Sequence, residues 1–334
     1  MMKRHLLPIS LLVPAFLIVL ASSAPGINSK AGTAAYSFLK IGTGAKSQAM
    51  GGAFVGLADD ATALYYNPAG LTARKQQGQV FDELLNKPVN PDLKNRFTAS
   101  YIDYLIDFQY GFLGYVRRID SVSSAGASIM YQNYGTFNRL DAQGEQIGTF
   151  GASDIAIGLT YSRRLNSRLS VGITGKVIYE TIESYSSNGL AADAGFMYLV
   201  TDDGSTRAGL ALLNLGAQMR GMTSHKEPLP TRIAAGISHK LVGLPFLFSG
   251  EVGKPFDNDF YGSLGAELVS LQPFFIRLGW TTASKDYKTG VDNDILGGFA
   301  GGFGLKYKTY EIDYSYSSYA DLGSVHRVTL GAGF

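Results

Sequence analysis

None of the 334 residues is cysteine, which excludes disulfide frameworks, thiolate catalysis and cysteine-ligated zinc. Charge is scarce: 17% of residues are Asp, Glu, Lys or Arg, against about 25% in ordinary soluble domains. The two signs also balance, and once Lys3 and Arg4 are set aside 27 basic residues face 27 acidic ones. A chain without basic excess is a poor partner for nucleic acid. Histidine is rare, with His225, His239 and His326 the only examples beyond residue 24. They fall in an external loop and near opposite ends of two outward-facing strands, so they cannot form one site. No Gly-x-Ser-x-Gly is present either, and an enzyme is not expected. After residue 24 no apolar run approaches the ~18 residues that a spanning helix needs, which excludes a helical membrane protein.

What is abundant is glycine, at 41 residues, together with aromatics at 12% and hydrophobic residues at 46%. This is the composition of a transmembrane β-barrel, whose apolar residues are interleaved with polar ones. Residues 1–24 read as a cleaved signal peptide: Lys3 and Arg4, an apolar stretch from Leu6 to Leu20, then Ala21, Ser22, Ser23 and Ala24. Export of a neutral, cysteine-free barrel points to the bacterial outer membrane.

The period of the chain is two. Tyr310, Ile312, Tyr314 and Tyr316 alternate with Glu311, Asp313, Ser315 and Ser317, which is strand periodicity. Val171, Ile173, Val177 and Tyr179 oppose Ser170, Gly172, Thr174, Lys176 and Glu180. One face suits lipid and the other suits water. The same split is read at 106–117, with Ile106, Phe108, Tyr110 and Phe112 on the lipid side. Such windows recur fourteen times between residues 97 and 334, an even number as bacterial single-chain barrels require. The expected fold is an all-β, fourteen-stranded antiparallel transmembrane barrel over residues 96–334. Connections after even strands are short, and those after odd strands are mostly longer, notably 135–152, 183–189 and 215–230. That rhythm fits periplasmic turns and extracellular loops.

Residues 36–75, within an N-terminal segment 25–75, do not alternate. Asp59 and Asp60 stand ahead of Ala61-Thr62-Ala63-Leu64-Tyr65-Tyr66 as an acidic cap for a short helix, and Asn67-Pro68-Ala69-Gly70 stops it. Short helix and glycine-rich turn, leading into a wide barrel, suggest an N-terminal plug in the lumen. Residues 76–95 read as an insertion or linker between plug and first strand.

The run Ser37-Phe38-Leu39-Lys40-Ile41-Gly42, then Ala49-Met50-Gly51-Gly52-Ala53-Phe54-Val55, Ala58-Asp59-Asp60-Ala61 and Tyr66-Asn67-Pro68-Ala69-Gly70-Leu71 closely resembles the opening of the PorV/PorQ family, part of the wider FadL-like group of outer-membrane barrels. Leu213-Asn214-Leu215-Gly216, Pro228-Leu229-Pro230-Thr231-Arg232 and Asp321-Leu322-Gly323 with His326-Arg327 extend the resemblance over nearly the whole mature chain. Val328, Leu330, Ala332 and the terminal Phe334 resemble the signature strand of proteins inserted by the barrel assembly machinery. The resemblance implies a fourteen-stranded barrel with a plug that carries Gly51, Gly52, Asp59, Asp60, Asn67, Pro68 and Gly70. Relatives divide by role. The N-terminal block is nearer PorV/PorQ than FadL proper, so protein export or surface attachment in type IX secretion is the expected function. The alternative is uptake of long-chain fatty acids or other hydrophobic compounds. Expected partners are outer-membrane lipid, the assembly machinery, and exported proteins or hydrophobic small molecules.

Charged residues on the lumen-facing parity are Asp154, Lys176, Glu180, Arg207, Arg232, Glu251, Glu267, Arg277, Lys306, Glu311 and Asp313. They can form a polar track or a plug latch, or simply hydrate the interior. Asp257-Asn258-Asp259 and Asp292-Asn293-Asp294 carry oxygen donors for calcium but equally read as turn chemistry, and no metal or cofactor is expected. Among Gly297, Gly298, Gly301, Gly302 and Gly304, a strand bend or close approach of the plug to the wall is anticipated.

Overall fold

The computed structural model describes residues 28–73, 93–105, 108–241, 243–287 and 296–334. The signal peptide read at 1–24, nearly all of the 76–95 insertion, and Asp292-Asn293-Asp294 lie outside the described residues. Fourteen strands form one closed barrel. They are β1 (Asn95–Asp103), β2 (Gln109–Arg118), β3 (Ser123–Leu140), β4 (Gln146–Arg164), β5 (Leu169–Ile182), β6 (Tyr185–Leu199) and β7 (Thr206–Arg220). The second half comprises β8 (Arg232–Lys240), β9 (Phe246–Pro255), β10 (Tyr261–Leu268), β11 (Phe274–Thr281), β12 (Phe299–Tyr307), β13 (Tyr310–Ser318) and β14 (Ser324–Gly333). Each strand pairs antiparallel with its sequence neighbours, and β1 meets β14 from Arg96↔Gly333 to Asp103↔His326. No edge is left for aggregation.

The alternation read from the sequence orients the wall. On β5, Ser170, Thr174 and Lys176 are buried, whereas Ile173, Val177 and Tyr179 are exposed. Outward side chains such as Leu159, 69% exposed, and Ile173, 64% exposed, form an apolar surface that hydrocarbon solvates and water does not. Strand β2 is inverted relative to the expectation. Tyr110, Phe112 and Val116 are buried inside, and Leu113 and Tyr115 point outward. The reason is local: Tyr110, Phe112 and Val116 share one buried apolar cluster with Leu64, Tyr65 and Tyr66 of the N-terminal segment. Their stripe is core, not lipid contact.

Three of the connections after even strands reuse one device. Asp120 Oδ1 accepts from the Val122 and Ser123 amides, Asn166 Oδ1 from Arg168 and Leu169, and Asp203 Oδ1 from Ser205. These backbone hydrogen bonds hold the Asp120 carboxyl below the usual carboxylate range. At the other rim the expected loops 135–152 and 183–189 are largely strand. There β3 and β4 run on past a bulge at Asn133/Thr136 to a tight turn at Asp141–Glu145, and β5 and β6 continue to Ile182↔Tyr185. The wall is therefore tall along β3–β7, with strands of 14 to 19 residues, and short along β8–β14, with strands of 8 to 10.

Closure can be checked cleanly because the chain lacks cysteine. Tyr101 and Val328 are directly opposed and both point outward, at the roughly 4.5–5.5 Å Cα spacing of antiparallel pairs, within disulfide range. The double variant Tyr101→Cys/Val328→Cys should oxidise to an intramolecular bridge in folded barrel, seen as a faster non-reducing gel band. A Tyr101→Cys/Ile312→Cys control, not paired in this register, should not.

Candidate functional site

Residues 34–73 pack against inward-facing residues of the wall, and 29–33 are exposed. Short turns at Ser37–Lys40, Ala45–Ala49, Ala63–Tyr66 and Pro68–Leu71 are joined by backbone that touches the wall on all sides. Such irregular backbone has few internal hydrogen bonds, so inward side chains supply them. Glu251 Oε2 accepts from the Phe54 and Val55 amides at 3.0 and 2.9 Å. Ser238 and Ser249 donate to the Gly56 and Ala53 carbonyls at 2.9 and 2.5 Å, and the Arg207 guanidinium donates to the Leu57 carbonyl. Across the lumen the Ala45 amide donates to Thr329 Oγ1 at 2.8 Å, and Arg327 Nε donates to the Gly42 carbonyl at 3.2 Å.

Asn67 organises the turn after Ala63–Tyr66. Its Nδ2 donates to the Val55 carbonyl at 2.9 Å and to the Phe196 carbonyl of β6 at 3.1 Å, and its Oδ1 accepts from the Ala69 amide. Pro68 follows at the first position of the 3-10 turn, where a missing N–H costs nothing. Gly70 is packed so that a Cβ would lie 2.2 Å from the Ala58 carbonyl oxygen. Asp59 and Asp60 do not cap the helix, whose N-terminal neighbour Thr62 makes no side-chain cap. Asp59 instead pairs with Lys46 at 2.9 Å, and Asp60 Oδ1 accepts from the Thr62 amide and hydroxyl. Burial raises the Asp60 carboxyl; at Lys46 burial works against the ammonium, but Asp59, Glu267 and Asp60 together outweigh it and keep it charged. Burial also pushes Tyr65 up to about 12.

The wall receives this backbone through inward glycines. A Cβ at Gly172 would lie 2.4 Å from Pro68 C, at Gly195 2.1 Å from Asn67 Oδ1, at Gly209 2.2 Å from Val55 O, and at Gly279 2.0 Å from Gly51 N. Gly236 faces Gly56, Gly265 faces Met50, and Gly302 faces Ala49 Cβ. Gly51 itself has φ of +67° and lies against the Trp280 backbone, so both partners must be bare. Of the glycines singled out on β12, Gly302 receives the segment, and Gly304 makes room for Arg277 and Asp313. Gly52, at φ of +77°, completes the same turn.

The named lumen charges fall into separate groups. Arg277 Nε donates to Glu267 at 2.6 Å, its guanidinium also pairs with Asp313, and Glu311 lies 3.6 Å away. Lys176 pairs with Asp193 and donates to Asn214 Oδ1, each at 2.7 Å. Arg232 Nη1 donates to the Tyr261 hydroxyl at 3.0 Å, and Tyr261 donates to Glu251 Oε1 at 2.9 Å. Glu180 stands apart on β5, half-buried. Phe334 is 68% exposed on the outside, and its backbone closes on Asn95. Asp257 pairs with Lys40 at 2.6 Å and Asp259 accepts from Asn28 at 2.7 Å, so both tie down the segment. Asn214 and Arg327 entered the sequence reading only through family-like motifs, and Asp193 and the receiving wall glycines other than Gly302 were not singled out as contacts. Recurrence of glycine on the inward parity of β5, β6, β7, β8, β10, β11 and β12 is the signal that could have found the last group.

Between the segment and the short wall lies a cavity of about 210 Å³, at the rim of the odd-strand connections. Tyr65 and Tyr66 border it from the segment, Phe260, Phe299 and Tyr319 from the wall and its loops, and Arg232 supplies a cationic edge.

The glycine contacts carry a stability prediction. Gly279→Leu should lower the urea midpoint of the refolded barrel by the equivalent of about 1–3 kcal/mol, the cost of overpacking, and expose residues 28–73 to protease. Gly175→Leu, outward with nothing within 4 Å of a Cβ, should do neither.

No protein-family model matches the chain, and no curated protein matches it. Solved structures do. The toluene transporter TodX of Pseudomonas putida superposes with a TM-score of 0.57 at 13% identity, covering 87% of this chain and 96% of that one. The CymD monoaromatic hydrocarbon channel gives 0.57 at 14%, covering 88% and 98%. A Pseudomonas aeruginosa FadL homologue gives 0.52 at 11%, covering 87% and 98%. At these identities the likeness is one of fold, and it does not reach the PorV/PorQ branch: the chain has the barrel fold of FadL-like outer-membrane channels.

Proposed function

We propose that the protein is a non-enzymatic outer-membrane channel for hydrophobic small molecules, exported through its signal peptide, with residues 25–75 as a luminal plug. The observation that carries this reading is the aromatic-lined cavity beside the segment. An apolar solute there meets the rings of Tyr65, Tyr66, Phe299 and Tyr319 and adjoins the short wall. Because the segment is held by at least five wall side chains and a series of bare glycines, the solute passes beside the plug and does not expel it. The fold neighbours favour this uptake reading over the secretion reading that the N-terminal motifs suggested. The connections 135–152 and 215–230, the stretches long enough to hold an exported protein, are also shorter as loops than expected, since Phe137 stacks on Phe150 within the β3–β4 hairpin and β7 extends to Arg220.

Ala300, buried on β12, lines the cavity. Ala300→Trp should fill it and cut uptake of toluene or oleate into proteoliposomes at least fivefold, with the heat-modifiable gel shift of a folded barrel retained. Unchanged uptake with an exported protein co-purifying stoichiometrically would replace transport by secretion. The plug is tested separately: Asp59→Ala/Asp60→Ala/Asn67→Ala should raise single-channel conductance while leaving insertion intact, and unaltered conductance would argue against a plug.

A further inference from the structure

Among the inward charges described, one pair has no basic partner. Asp154 on β4 faces Glu180 on β5 directly, with side chains about 4.5–5.5 Å apart at Cβ for such pairs. Neither takes part in a salt bridge among the described residues, where Lys176, four residues before Glu180 on the same face of β5, is committed to Asp193. Directly below them Met130, Ala156 and Ile178 form a fully buried apolar layer. Two like charges beside apolar packing repel and are poorly solvated.

The adjoining strand carries a second, separate sign of an absent partner. Gln132 on β3 faces Asp154. Gln132 and Asp154 are each 2% exposed, and Gln132 Oε1 and Asp154 Oδ1 are buried without a hydrogen-bond partner. The other Asp154 oxygen is committed, accepting from the Tyr134 hydroxyl at 2.6 Å. Three adjacent strands therefore present acceptor oxygens in a row: amide, carboxylate, carboxylate. What satisfies them must be positive and must take oxygen donors only.

We propose that Gln132, Asp154 and Glu180 form a site for a hard divalent cation, Ca²⁺ by preference. Strands stand about 4.8 Å apart, so the flexible Gln132 and Glu180 side chains, one strand to either side of Asp154, can converge on one ion at the roughly 2.3–2.6 Å of calcium and its loose geometry, whereas magnesium needs about 2.0–2.1 Å and strict octahedral geometry. The half-buried Glu180 leaves one side open, where water completes the shell. The ion ties β3, β4 and β5 together where the tall hairpins leave the barrel. This site is independent of the transport reading.

Tb³⁺ is the probe, excited through tyrosine in the detergent-solubilised full chain, because Tyr134 already touches Asp154. Saturable emission should be displaced by Ca²⁺ at about 10⁻⁴–10⁻³ M, the range of extracellular modules, and at least tenfold less effectively by Mg²⁺. Asp154→Asn/Glu180→Gln should weaken Tb³⁺ binding at least tenfold. Tyr134→Phe should keep Ca²⁺ binding, read by thermal shift, while losing most of the emission. Should the double variant fail to show the heat-modifiable band of a folded barrel, the uncharged Gln132→Ala serves, with an expected loss of at least threefold. Absence of saturable emission, or emission unaltered in the folded variants, would overturn the site. So would a protonated-carboxyl infrared band lost in Asp154→Asn and insensitive to Ca²⁺, which would show a shared proton in place of the ion.

Discussion

A backbone surrounded by hydrocarbon has no water to bond, so each N–H and C=O of the wall needs a strand partner, and this fixes the rest of the molecule. Pairing of β1 with β14 meets the requirement for the sheet. It also creates a difficulty, because a barrel of about eight strands is just filled by its own side chains and fourteen leave a wide lumen. The N-terminal segment occupies that space, and it brings irregular backbone with its own unmet groups. Glu251, Ser238, Ser249, Arg207 and Arg327 answer them from the wall. The inward polar residues thus continue the hydrogen-bonding constraint that closes the sheet.

Close approach is what makes those bonds possible, and it depends on removing side chains from both surfaces. At Gly279 against Gly51 and at Gly236 against Gly56, backbone meets backbone with no Cβ between them. Hydrogen bonds then fix the distance and apolar contacts fill the remainder, as where Leu64, Tyr65 and Tyr66 join Phe112 and Val116. Charge plays a secondary part. Burying an ion pair seldom adds net stability, whereas removing one partner is costly. Arg277 amid Glu267, Asp313 and Glu311 therefore acts more as a fixed register between β10, β11 and β13 than as a source of stability.

The strands were legible in the sequence because a wall between lipid and lumen imposes period two on almost every residue, as in Tyr310 to Ser317. Two features escaped for physical reasons. Strand β2 carries Tyr110 and Phe112 inward because the lumen is apolar where Leu64 packs, so a rule that assigns apolar residues to lipid inverts its face. The rim extensions of β3 to β7 escaped because, beyond the bilayer, neither face is obliged to be apolar: Arg139 pairs with Glu183 there, and the alternation that marks the wall is gone. Of the internal segment, the positions of Asp59, Asp60 and Asn67 were readable but their partners were not. Lys46 is thirteen residues from Asp59, and the Phe196 carbonyl that Asn67 meets is 129 residues away. No local pattern encodes a contact of that span.

The unequal height of the wall separates two kinds of chemistry on opposite sides of one lumen. Along β8 to β14, strands of 8 to 10 residues rise about 3.3 Å per residue and, at the usual tilt of about 35–45°, span roughly 19–27 Å, close to or below the height of an apolar band about 25 Å tall. The cavity lies on this side, so an apolar solute has little aqueous path between it and the membrane edge. Along β3 to β5, strands of 14 to 19 residues carry Gln132, Asp154 and Glu180 above the apolar layer of Met130, Ala156 and Ile178. Hairpins that long, standing clear of lipid, lack hydrocarbon to press their strands together. An acceptor row at the point of departure is where a bound cation has the greatest leverage on their orientation, and it acts there on the side of the lumen away from the cavity.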